Sequence, residues 1–405
     1  MNVIFLTISR IRDIQTRGIY TDLMRKFRDE GHNVYIVSPN ERQFNLPTAL
    51  TEVDGVQILG VKILNIQKTN PIEKGLSTIL LESQYKKAIE KHLGDIKFDL
   101  ILYSTPPISF PNVIKYLKKR NPNAFTYLLL KDIFPQNAVD LGMFSKSSPF
   151  HWFFRRKEVA LYQATDFIGC MSPANVEYVL KHNDFIVPET VEVAPNSIEL
   201  VENGGLTTEQ KKTIRKKYDL PTNKPVFIYG GNLGKPQGIP FLIRCLDANK
   251  SRTDCHFLVV GNGTEYGKLE SWYNENQPKN VSLFARLPKE DYDLLVQSCD
   301  VGLIFLDHRF TIPNYPSRLL SYLEYKMPVI AATDKNTDIG SIAETNGYGY
   351  WCESVDVNDF TACIDKMLAS DIKLMGEKGF KFLKENYLVE HTYNQVMKHF
   401  HTSIK

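Results

Sequence analysis

The stretch VFIYGGNLGKPQG at positions 226–238 decides the fold class of this chain. Its first four residues are apolar and predict a short buried β-strand, and the glycines after them predict a tight turn. A helical pattern begins directly afterwards, from Pro240 to Leu246. A strand, a turn and a helix in this order form the first unit of a parallel α/β domain.

The same alternation of short strands and helices extends through both halves of the chain. Short apolar runs separated by helical stretches are typical of βαβ units, and they predict two doubly wound, Rossmann-like domains with parallel sheets. In such sheets ligands bind beyond the carboxyl ends of the strands, so we expect a cleft between the domains. The predicted strands are 3–6, 34–37, 100–103, 125–130, 166–170 and 191–194 in the first half and 226–229, 256–260, 281–284, 300–306 and 329–332 in the second.

A change in composition near residue 201 separates the two halves. Two glycines, a charged helical stretch and Pro221 lie within residues 201–224, which we interpret as a linker, and Pro225 follows directly. This gives an N-terminal domain at 1–200, a C-terminal domain at 225–385 and a final helix within 386–405. The final helix carries Tyr393, Val396, Met397 and Phe400 on one stripe, a spacing that predicts core packing.

Composition excludes several classes of protein. The chain has 405 residues, of which 43% are hydrophobic, so it is not a disordered chain. Its 49 basic and 46 acidic residues give a net charge of +3, which argues against dedicated nucleic-acid binding. No apolar run reaches the roughly 20 residues of a membrane span, and the N-terminus lacks a signal-peptide pattern. We therefore expect a cytoplasmic protein, and we expect its six cysteines, none in a C-x-x-C pair, to be buried free thiols.

Three segments of the second half have the residues that hold a phosphate group. The turn 230–238 combines glycines with Lys235, and glycines let a backbone approach a phosphate closely. A second glycine turn, Gly261-Asn262-Gly263, follows the next predicted strand. The third segment places Ser317 and Arg318 in the first turn of a helix, where backbone amides and a guanidinium favour a diphosphate.

Two segments of the first half suggest a reaction centre and an acceptor site. Asp132 follows the strand 125–130, at the edge of the sheet that faces the predicted cleft; the alternative for Asp132 is an Asx turn or a helix cap. The turn after the first strand carries Arg10, Arg12, Arg17 and Gly18, which we expect to hold a phosphate on the acceptor. The segment HWFFRRK at 151–157 mixes aromatic and basic residues, a pattern that suits either an anionic membrane surface or a solvated helix face.

In their order and spacing these segments resemble glycosyltransferase family 4, whose members have the two-domain GT-B fold. The resemblance covers nearly the whole chain and is closest to the branch that builds bacterial capsule and O-antigen polysaccharides, including fucosamine transferases. The segment 231–238 is similar to the "G-N-L-G-x-x-Q-G" pattern of that branch, and 316–318 replaces its "P-S-K". Three further segments match "S-x-P-P", "D-L-W-P" and "V-I-P-N", namely 104–107, 132–135 and 193–196.

This resemblance implies a retaining transferase that moves a sugar from a nucleoside-diphosphate sugar, with UDP favoured, to a glycan or polyprenyl-diphosphate-linked acceptor. Lys235 and Arg318 neutralise the leaving diphosphate without a metal or other cofactor, Asp132 lies in the reaction centre, and the last helix packs back toward the N-terminal domain. The donor contacts that it implies are Gly231, Asn232, Gly234, Lys235, Gln237, Gly261, Asn262, Gly263, Arg286, Leu287, Tyr315, Pro316, Ser317, Arg318, Leu319 and Ser321.

The chain departs from the family pattern at two positions. Pro313 and Ser321 stand where many members have glutamates, the second of which holds the ribose hydroxyls. Glu324 lies one helical turn beyond Ser321 and is a candidate substitute. Two other functions therefore stay open, a GT-B nucleotide-sugar epimerase and a non-catalytic GT-B partner subunit. A periplasmic sugar-binding protein is disfavoured because it needs an export signal.

Overall fold

The computed structural model describes residues 1–66, 71–200 and 205–402, which form two compact units. Unit 1 comprises Met1–Glu199 together with the residues from Leu388 onward, and unit 2 comprises Leu200–Tyr387. Each unit is built on one sheet with helices, as the alternation of strands and helices predicts. Residues 201–204 of the predicted linker lie outside the described residues.

Unit 1 contains an eight-stranded sheet in the order β3-β4-β2-β1-β5-β6-β7-β8, in which only β3 runs antiparallel to its neighbour. Its strands are β1 (Asn2–Leu6), β2 (Asn33–Glu41), β3 (Ala49–Val53), β4 (Val56–Ile63), β5 (Leu100–Ser104), β6 (Phe125–Leu130), β7 (Phe167–Cys170) and β8 (Val191–Val193). Its first six helices are α1 (Ile19–Asp29), α2 (Pro71–His92), α3 (Pro111–Arg120), α4 (Gln136–Asp140), α5 (Pro149–Tyr162) and α6 (Pro173–Lys181). Short 3₁₀ turns lie at Arg42–Phe44 and Pro188–Thr190.

The β3–β4 hairpin and α2 are elements that the sequence pattern did not predict. The hairpin turns at Asp54 and Gly55, which both have positive φ, as a two-residue turn with an Asp-Gly pair requires. This dipeptide is a signal that could have located the hairpin. Across the described ranges, no helix combines the length and apolarity needed to cross a bilayer.

Unit 2 contains a six-stranded parallel sheet in the order β11-β10-β9-β12-β13-β14. Its helices are α7 (Thr208–Lys217), α8 (Ile239–Ala248), α9 (Tyr266–Asn276), α10 (Lys289–Ser298), α11 (Arg318–Glu324), α12 (Ile339–Thr345), α13 (Val357–Leu368) and α14 (Ile372–Asn386). Its strands are β9 (Val226–Asn232), β10 (His256–Asn262), β11 (Val281–Phe284), β12 (Val301–Phe305), β13 (Val329–Thr333) and β14 (Gly349–Glu353). The cysteines of both units, six in all, are buried free thiols, as predicted.

The predicted linker is wrong for residues 205–224, because this segment belongs to unit 2. The reason is Arg215 of α7, whose guanidinium is buried and donates hydrogen bonds to the Ser298 carbonyl at 2.8 Å and to Asp300 Oδ2 at 2.6 Å. Asp300 also accepts the backbone N–H of Val226, at the start of β9. Arg215, one of several basic residues of this segment, therefore fixes α7 to the start of the central strands β9 and β12.

The last helix, α15 (Val389–Thr402), belongs to unit 1. Val396 and Met397 lie in the core of unit 1 and Tyr393 and Phe400 pack against that core, so the predicted apolar stripe is confirmed. The ring of Tyr393 meets the ring of Phe27 edge-on, with 4.9 Å between their centroids. Residues 403–405 of the predicted final helix lie outside the described residues.

Replacing Phe27 by alanine tests this packing. Phe27 is fully buried between α1 and α15, so we expect Phe27→Ala to lower the free energy of unfolding by about 3–5 kcal/mol. Urea unfolding followed by circular dichroism measures the change. The matched control is Phe185→Ala, because Phe185 is 44% exposed and its loss should change stability by no more than about 0.5 kcal/mol. Equal effects of the two substitutions would contradict the proposed packing of α15.

Candidate functional site

The sheet order of unit 2 identifies the place where a ligand binds. β9 lies at the centre, with β10 and β11 on one side and β12, β13 and β14 on the other, so the chain changes direction beside β9. In open parallel sheets such a reversal opens a crevice beyond the carboxyl ends of the strands. The glycine segments and the loop that leads to α11 follow β9, β10 and β12, and so they come to this edge.

The two glycine segments lie side by side, but as strand ends and not as turns. β9 continues to Asn232 and β10 to Asn262, and Gly231 and Asn232 pair in register with Gly261 and Asn262. The turn predicted to begin at Gly230 therefore begins three residues later, and the turn predicted to begin at Gly261 begins two residues later. The backbones are so close that a Cβ atom on Gly261 would collide with the carbonyl oxygen of Gly231. Glycine thus extends the pairing to the edge where the ligand is expected.

The loop after β9 is held by Gln237. Its side-chain oxygen accepts hydrogen bonds from Asn232 Nδ2 at 3.1 Å and from the Gly234 N–H at 3.2 Å. Lys235 begins the 3₁₀ turn Lys235–Gln237, is exposed, and has no ion-pair partner among the described residues. Gly238 closes the turn with φ of +57° and starts α8. The Gln237 side chain thus holds the loop in shape. The ammonium group of Lys235 has no ion-pair partner among the described residues and can therefore bind an anion.

Arg318, the first residue of α11, reaches back to the glycine segment. Its Nη2 would lie 3.6 Å from a Cβ atom on Gly231, and its guanidinium carbon lies 4.4 Å from the centre of the Tyr229 ring. Burial lowers the pKa of Arg318, but the hydroxyls of Tyr229 and Tyr322 outweigh that effect, and the resulting pKa lies above its ordinary value. The guanidinium is therefore charged, yet its buried Nη1 has no hydrogen-bond partner in the described part of the chain.

Three tyrosines around Arg318 were not predicted as site residues. Tyr229 lies under the guanidinium, and its hydroxyl donates to the Asn232 carbonyl at 2.8 Å. Tyr322 accepts the Gly230 N–H at 3.2 Å, and the Tyr292 hydroxyl lies where a Cβ of Gly230 would be. The spacing of Arg318 and Tyr322, one helical turn apart, was a signal that could have found Tyr322. Tyr229 gave none, because it looks like any core residue of a buried strand.

The other predicted donor residues divide into three groups. Arg286 and Leu287 follow β11, the strand beside β10, and Arg286 is exposed. Ser317 and Ser321 are exposed at α11 and Pro316 is half-buried before it. Leu319 and Tyr315 point elsewhere, because Leu319 is a core residue and the Tyr315 hydroxyl is hydrogen-bonded to the Tyr387 hydroxyl.

The first-turn amides of α11 are also less available than we predicted. The Leu319 N–H donates to the Pro316 carbonyl at 3.2 Å and the Leu320 N–H donates to the Ser317 carbonyl at 3.1 Å. The helix begins at Arg318, one or two residues later than predicted, with Ser317 as its cap residue. At this end of α11 the guanidinium of Arg318 is therefore the group that is free to bind an anion.

In unit 1, Asp132 lies just beyond the carboxyl end of β6. Its Oδ1 accepts a hydrogen bond from Asn137 Nδ2 at 2.8 Å, and its backbone N–H donates to Thr105 Oγ1 at 3.3 Å. No cation in the described residues pairs with the carboxylate. Burial raises the pKa of Asp132 to about 6 and exceeds the lowering effect of the Asn137 hydrogen bond. The alternative was an Asx turn or a helix cap. The described hydrogen bonds of this side chain show no Asx turn, and the cap residue at the start of α4 is Pro135.

Lys131, which the sequence pattern did not single out, has a similar environment. Its Nζ donates to the carbonyl oxygen of Ala194 at 3.0 Å. Burial lowers the pKa of Lys131 to about 7. Two adjacent ionisable groups at the end of β6 are therefore both displaced toward neutrality, a pattern that is frequent at functional sites.

The predicted acceptor loop is only partly open. Arg10 and Arg12 are exposed, and the guanidinium of Arg10 stacks on the Phe44 ring at 3.7 Å. Arg17 donates from Nη2 to the Glu199 carbonyl at 2.8 Å, and the Gly18 N–H donates to Asp22 Oδ1 at 2.9 Å. Arg17 and Gly18 thus stabilise the start of α1, which leaves Arg10 and Arg12 to face solvent.

The fold is of the GT-B type, with two Rossmann-like α/β units in one chain. It is similar over 99% of this chain and 100% of the other to the crystal structure of Anabaena HepE in complex with UDP and glucose, with a TM-score of 0.67 and 14% sequence identity. Residues 210–380 match the family model described as "Glycosyl transferases group 1". This match covers less than half of the chain and lies within unit 2.

Two curated bacterial proteins are similar in sequence. "Probable glycosyltransferase WbjE" of Pseudomonas aeruginosa is 25% identical over 267 residues, which are 64% of each chain. WcaI of Escherichia coli K12, a glycosyl transferase assigned to colanic acid biosynthesis, is 25% identical over 163 residues, which are 40% of this chain and 39% of WcaI. The chain thus matches less than two thirds of the length of either relative.

Adding one methyl group to Gly261 tests the glycine pairing. In Gly261→Ala the new Cβ meets the Gly231 carbonyl, so β9 and β10 must separate, and we expect a lower Tm. Differential scanning calorimetry measures the change. Gly267→Ala is the matched control, because no atom lies within 4 Å of its Cβ, and alanine in a helix stabilises by about 0.5–1 kcal/mol. A Gly261→Ala protein that unfolds at the Tm of the wild type would contradict the close approach of the paired glycines.

The raised pKa of Asp132 predicts a pH-dependent cost to stability. Below about pH 3 the carboxyl is neutral in both the folded and the unfolded chain and costs nothing. As the pH rises from about 3 to about 6 the unfolded state loses the proton first, so stability falls, and above pH 6 the full cost remains. We therefore expect Asp132→Asn to be more stable than the wild type by about 1–3 kcal/mol at pH 7.5. Urea unfolding should show this difference shrink to about 0.5 kcal/mol or less at pH 4, and a difference that is independent of pH would refute the assignment.

Proposed function

We propose that this protein is a retaining glycosyltransferase that takes a sugar from a nucleoside-diphosphate sugar and transfers it to a glycan acceptor. The observation that carries the proposal is the buried guanidinium of Arg318, which lacks a hydrogen-bond partner at Nη1 and lies beside the paired glycines of β9 and β10. A buried charged donor without a partner is costly unless an anion completes its hydrogen bonds. A diphosphate is the anion that suits this edge of a Rossmann-like sheet.

The chemistry follows from the two cations. When the bond between the sugar's anomeric carbon and the diphosphate oxygen breaks, negative charge develops on the departing nucleoside diphosphate. Fixed positive charges at that oxygen stabilise the transition state more than the ground state. Arg318 supplies one fixed charge and the exposed Lys235 the other. We therefore propose that the reaction needs no metal ion.

UDP is the nucleotide that we propose. The chain shares its fold with HepE, whose crystal structure contains UDP and glucose. Asn232 and Asn262 end the paired strands β9 and β10, and Arg286 lies two residues beyond the neighbouring β11, so these side chains can form hydrogen bonds to a base and ribose at this edge. At the ribose we propose Ser321, which is exposed on α11, with Glu324 one turn further along.

We propose a lipid-linked acceptor from bacterial surface polysaccharide biosynthesis, bound by unit 1. Arg10 and Arg12 are exposed cations of unit 1 that can contact the acceptor, and Asp132 is the carboxylate that we propose for the reaction centre. The assignment of the relative WcaI to colanic acid biosynthesis supports a polysaccharide product. A carboxyl with a pKa of about 6 can accept the proton that the acceptor hydroxyl loses near neutral pH.

We also propose that the protein attaches to the cytoplasmic face of a membrane through α5. Phe150, Trp152 and Phe153 of α5 are 67%, 61% and 44% exposed, and the guanidinium of Arg156 lies 4.6 Å from the Trp152 ring centre. Exposed aromatic side chains next to cations are typical of a surface that binds the interface of an anionic bilayer.

Thermal shift with UDP, GDP, CDP and ADP tests the donor site. We expect stabilisation by UDP, of about 2.7 kcal/mol at 100 times its dissociation constant. Lys235→Ala, at an exposed position that does not affect folding, and Arg318→Ala should both reduce the shift, whereas Arg244→Ala, an exposed arginine in the middle of α8, should not.

The same proteins serve to test catalysis. Transfer or hydrolysis of UDP-sugars should persist in EDTA and decrease in the Lys235 and Arg318 variants. A shift with a nucleotide but no transfer or hydrolysis would favour the non-catalytic partner subunit. No shift with any of the four nucleotides would overturn the proposal.

A further inference from the structure

A cavity of about 150 Å³ lies in unit 1, next to the loop that carries Asp132. Its walls come from the residues after β6, from α5 and from α6, so it is separate from the glycine segments of unit 2. A cavity of this size that has charged side chains in its lining can hold several water molecules or a small charged group. The proposed donor site does not account for it.

Positive charge dominates the side chains that line the cavity. Four of the lining residues are basic and one is acidic. They are Lys146, His151, Arg155, His182 and Glu158. Lys146 has no carboxylate partner among the described residues, so its charge is available to a ligand.

A hydrogen-bond network holds Arg155 and Glu158 in place. Arg155 donates from Nη1 to Glu158 Oε2 at 2.6 Å and from Nη2 to Asn183 Oδ1 at 2.6 Å. Glu158 is 4% exposed and also accepts the Tyr162 hydroxyl at 2.9 Å. Since Glu158 is tied to Arg155, it does not neutralise Lys146. The network fixes the floor of the cavity before any ligand binds, which lowers the entropic cost of binding.

The segments that line the cavity also carry exposed apolar side chains. They lie on the loop before α5, in the first turns of α5 and in the loop after α6. These side chains are Met143, Phe150, Trp152, Phe153, Phe185 and Val187, each at least 44% exposed. Basic lining residues and exposed apolar side chains on the same segments suit a molecule with a charged head and a hydrocarbon chain.

We propose that this cavity binds the phosphate or diphosphate group of an amphiphile whose hydrocarbon part lies along the apolar side chains. The assignment rests on the proposed function only in identifying the amphiphile as the lipid-linked acceptor. Lys146 and the imidazoles of His151 and His182 provide charge-assisted hydrogen bonds to the phosphate oxygens, and Arg155 positions the floor. Phosphate on a lipid headgroup shares this chemistry, and the experiment separates the two sources.

The test compares three proteins, each the full chain. They are the wild type, Lys146→Gln and the matched control Lys119→Gln, which removes the same charge from an exposed lysine of α3 outside the cavity. The probes are farnesyl diphosphate, inorganic pyrophosphate, and vesicles of phosphatidylcholine with phosphatidylglycerol. Calorimetry follows the soluble probes and co-sedimentation follows the vesicles. Pyrophosphate bound in unit 2 is insensitive to Lys146, so the difference between the variants reports on the cavity.

We expect Lys146→Gln to weaken binding of at least one probe about tenfold, the effect of one charge-assisted hydrogen bond, and Lys119→Gln to leave it unchanged. Loss with farnesyl diphosphate identifies an isoprenyl diphosphate, and loss with vesicles alone identifies a lipid headgroup. No loss with any probe, or equal loss in both variants, would overturn the cavity site. UDP thermal shifts on the same samples report on the donor site alone, so a failure of the proposed function is distinguishable from a failure of the cavity site.

Discussion

The close approach of two backbones, at Gly231 on β9 and Gly261 on β10, is the constraint on which the candidate donor site depends. Only a residue without a side chain permits that approach, and it keeps the strands paired up to Asn232 and Asn262. The loop that carries Lys235 therefore starts from a fixed edge. Arg318 reaches that edge from the other side of β9, and its guanidinium packs on the ring of Tyr229.

Two ionisable groups, one in each unit, lack the partners that would fully offset the cost of burying their charge. Arg318 keeps its charge among tyrosines with one nitrogen unpaired in the described residues, and the described side-chain hydrogen bond of Asp132 comes from a neutral amide. Neither arrangement contributes to stability as a surface ion pair does. The apolar cores of the two units offset this cost, and ionisable groups held in this way are frequent at functional sites.

Much of the architecture could be predicted from the alternation of apolar runs and helical stretches, because buried parallel strands are short and strongly apolar. The strand 125–130 and the stripe on α15 are examples. Local sequence patterns gave the wrong structure where contacts between distant residues determine it. Arg215 looks solvated in a charged helix until Asp300 is placed beside it, and the strand-ending glycines look like turns until their partners in the next strand are known.

The site could be predicted to the level of segments but not of side chains. Gly231 lies against both Gly261 and Arg318, and Lys235 follows in the loop after β9, whereas Leu319 turns into the core and Tyr315 toward Tyr387. The orientation of a helix determines which side chains face the ligand, and no local pattern gives it. For the same reason Tyr292, distant in sequence, gave no sign that it lies against Gly230.

The membership of α15 in unit 1 has a consequence for biosynthesis. A ribosome completes the strands and first six helices of unit 1 about 190 residues before it reaches Val389, as the intervening unit Leu200–Tyr387 shows. Domains generally fold as units during synthesis, in the order in which they leave the ribosome. Here the unit that emerges first must wait for the last helix, with the apolar surface around Phe27 uncovered, while the unit that emerges second can finish before it. The apolar surface around Phe27 therefore stays uncovered until α15 has been synthesised and released from the ribosome.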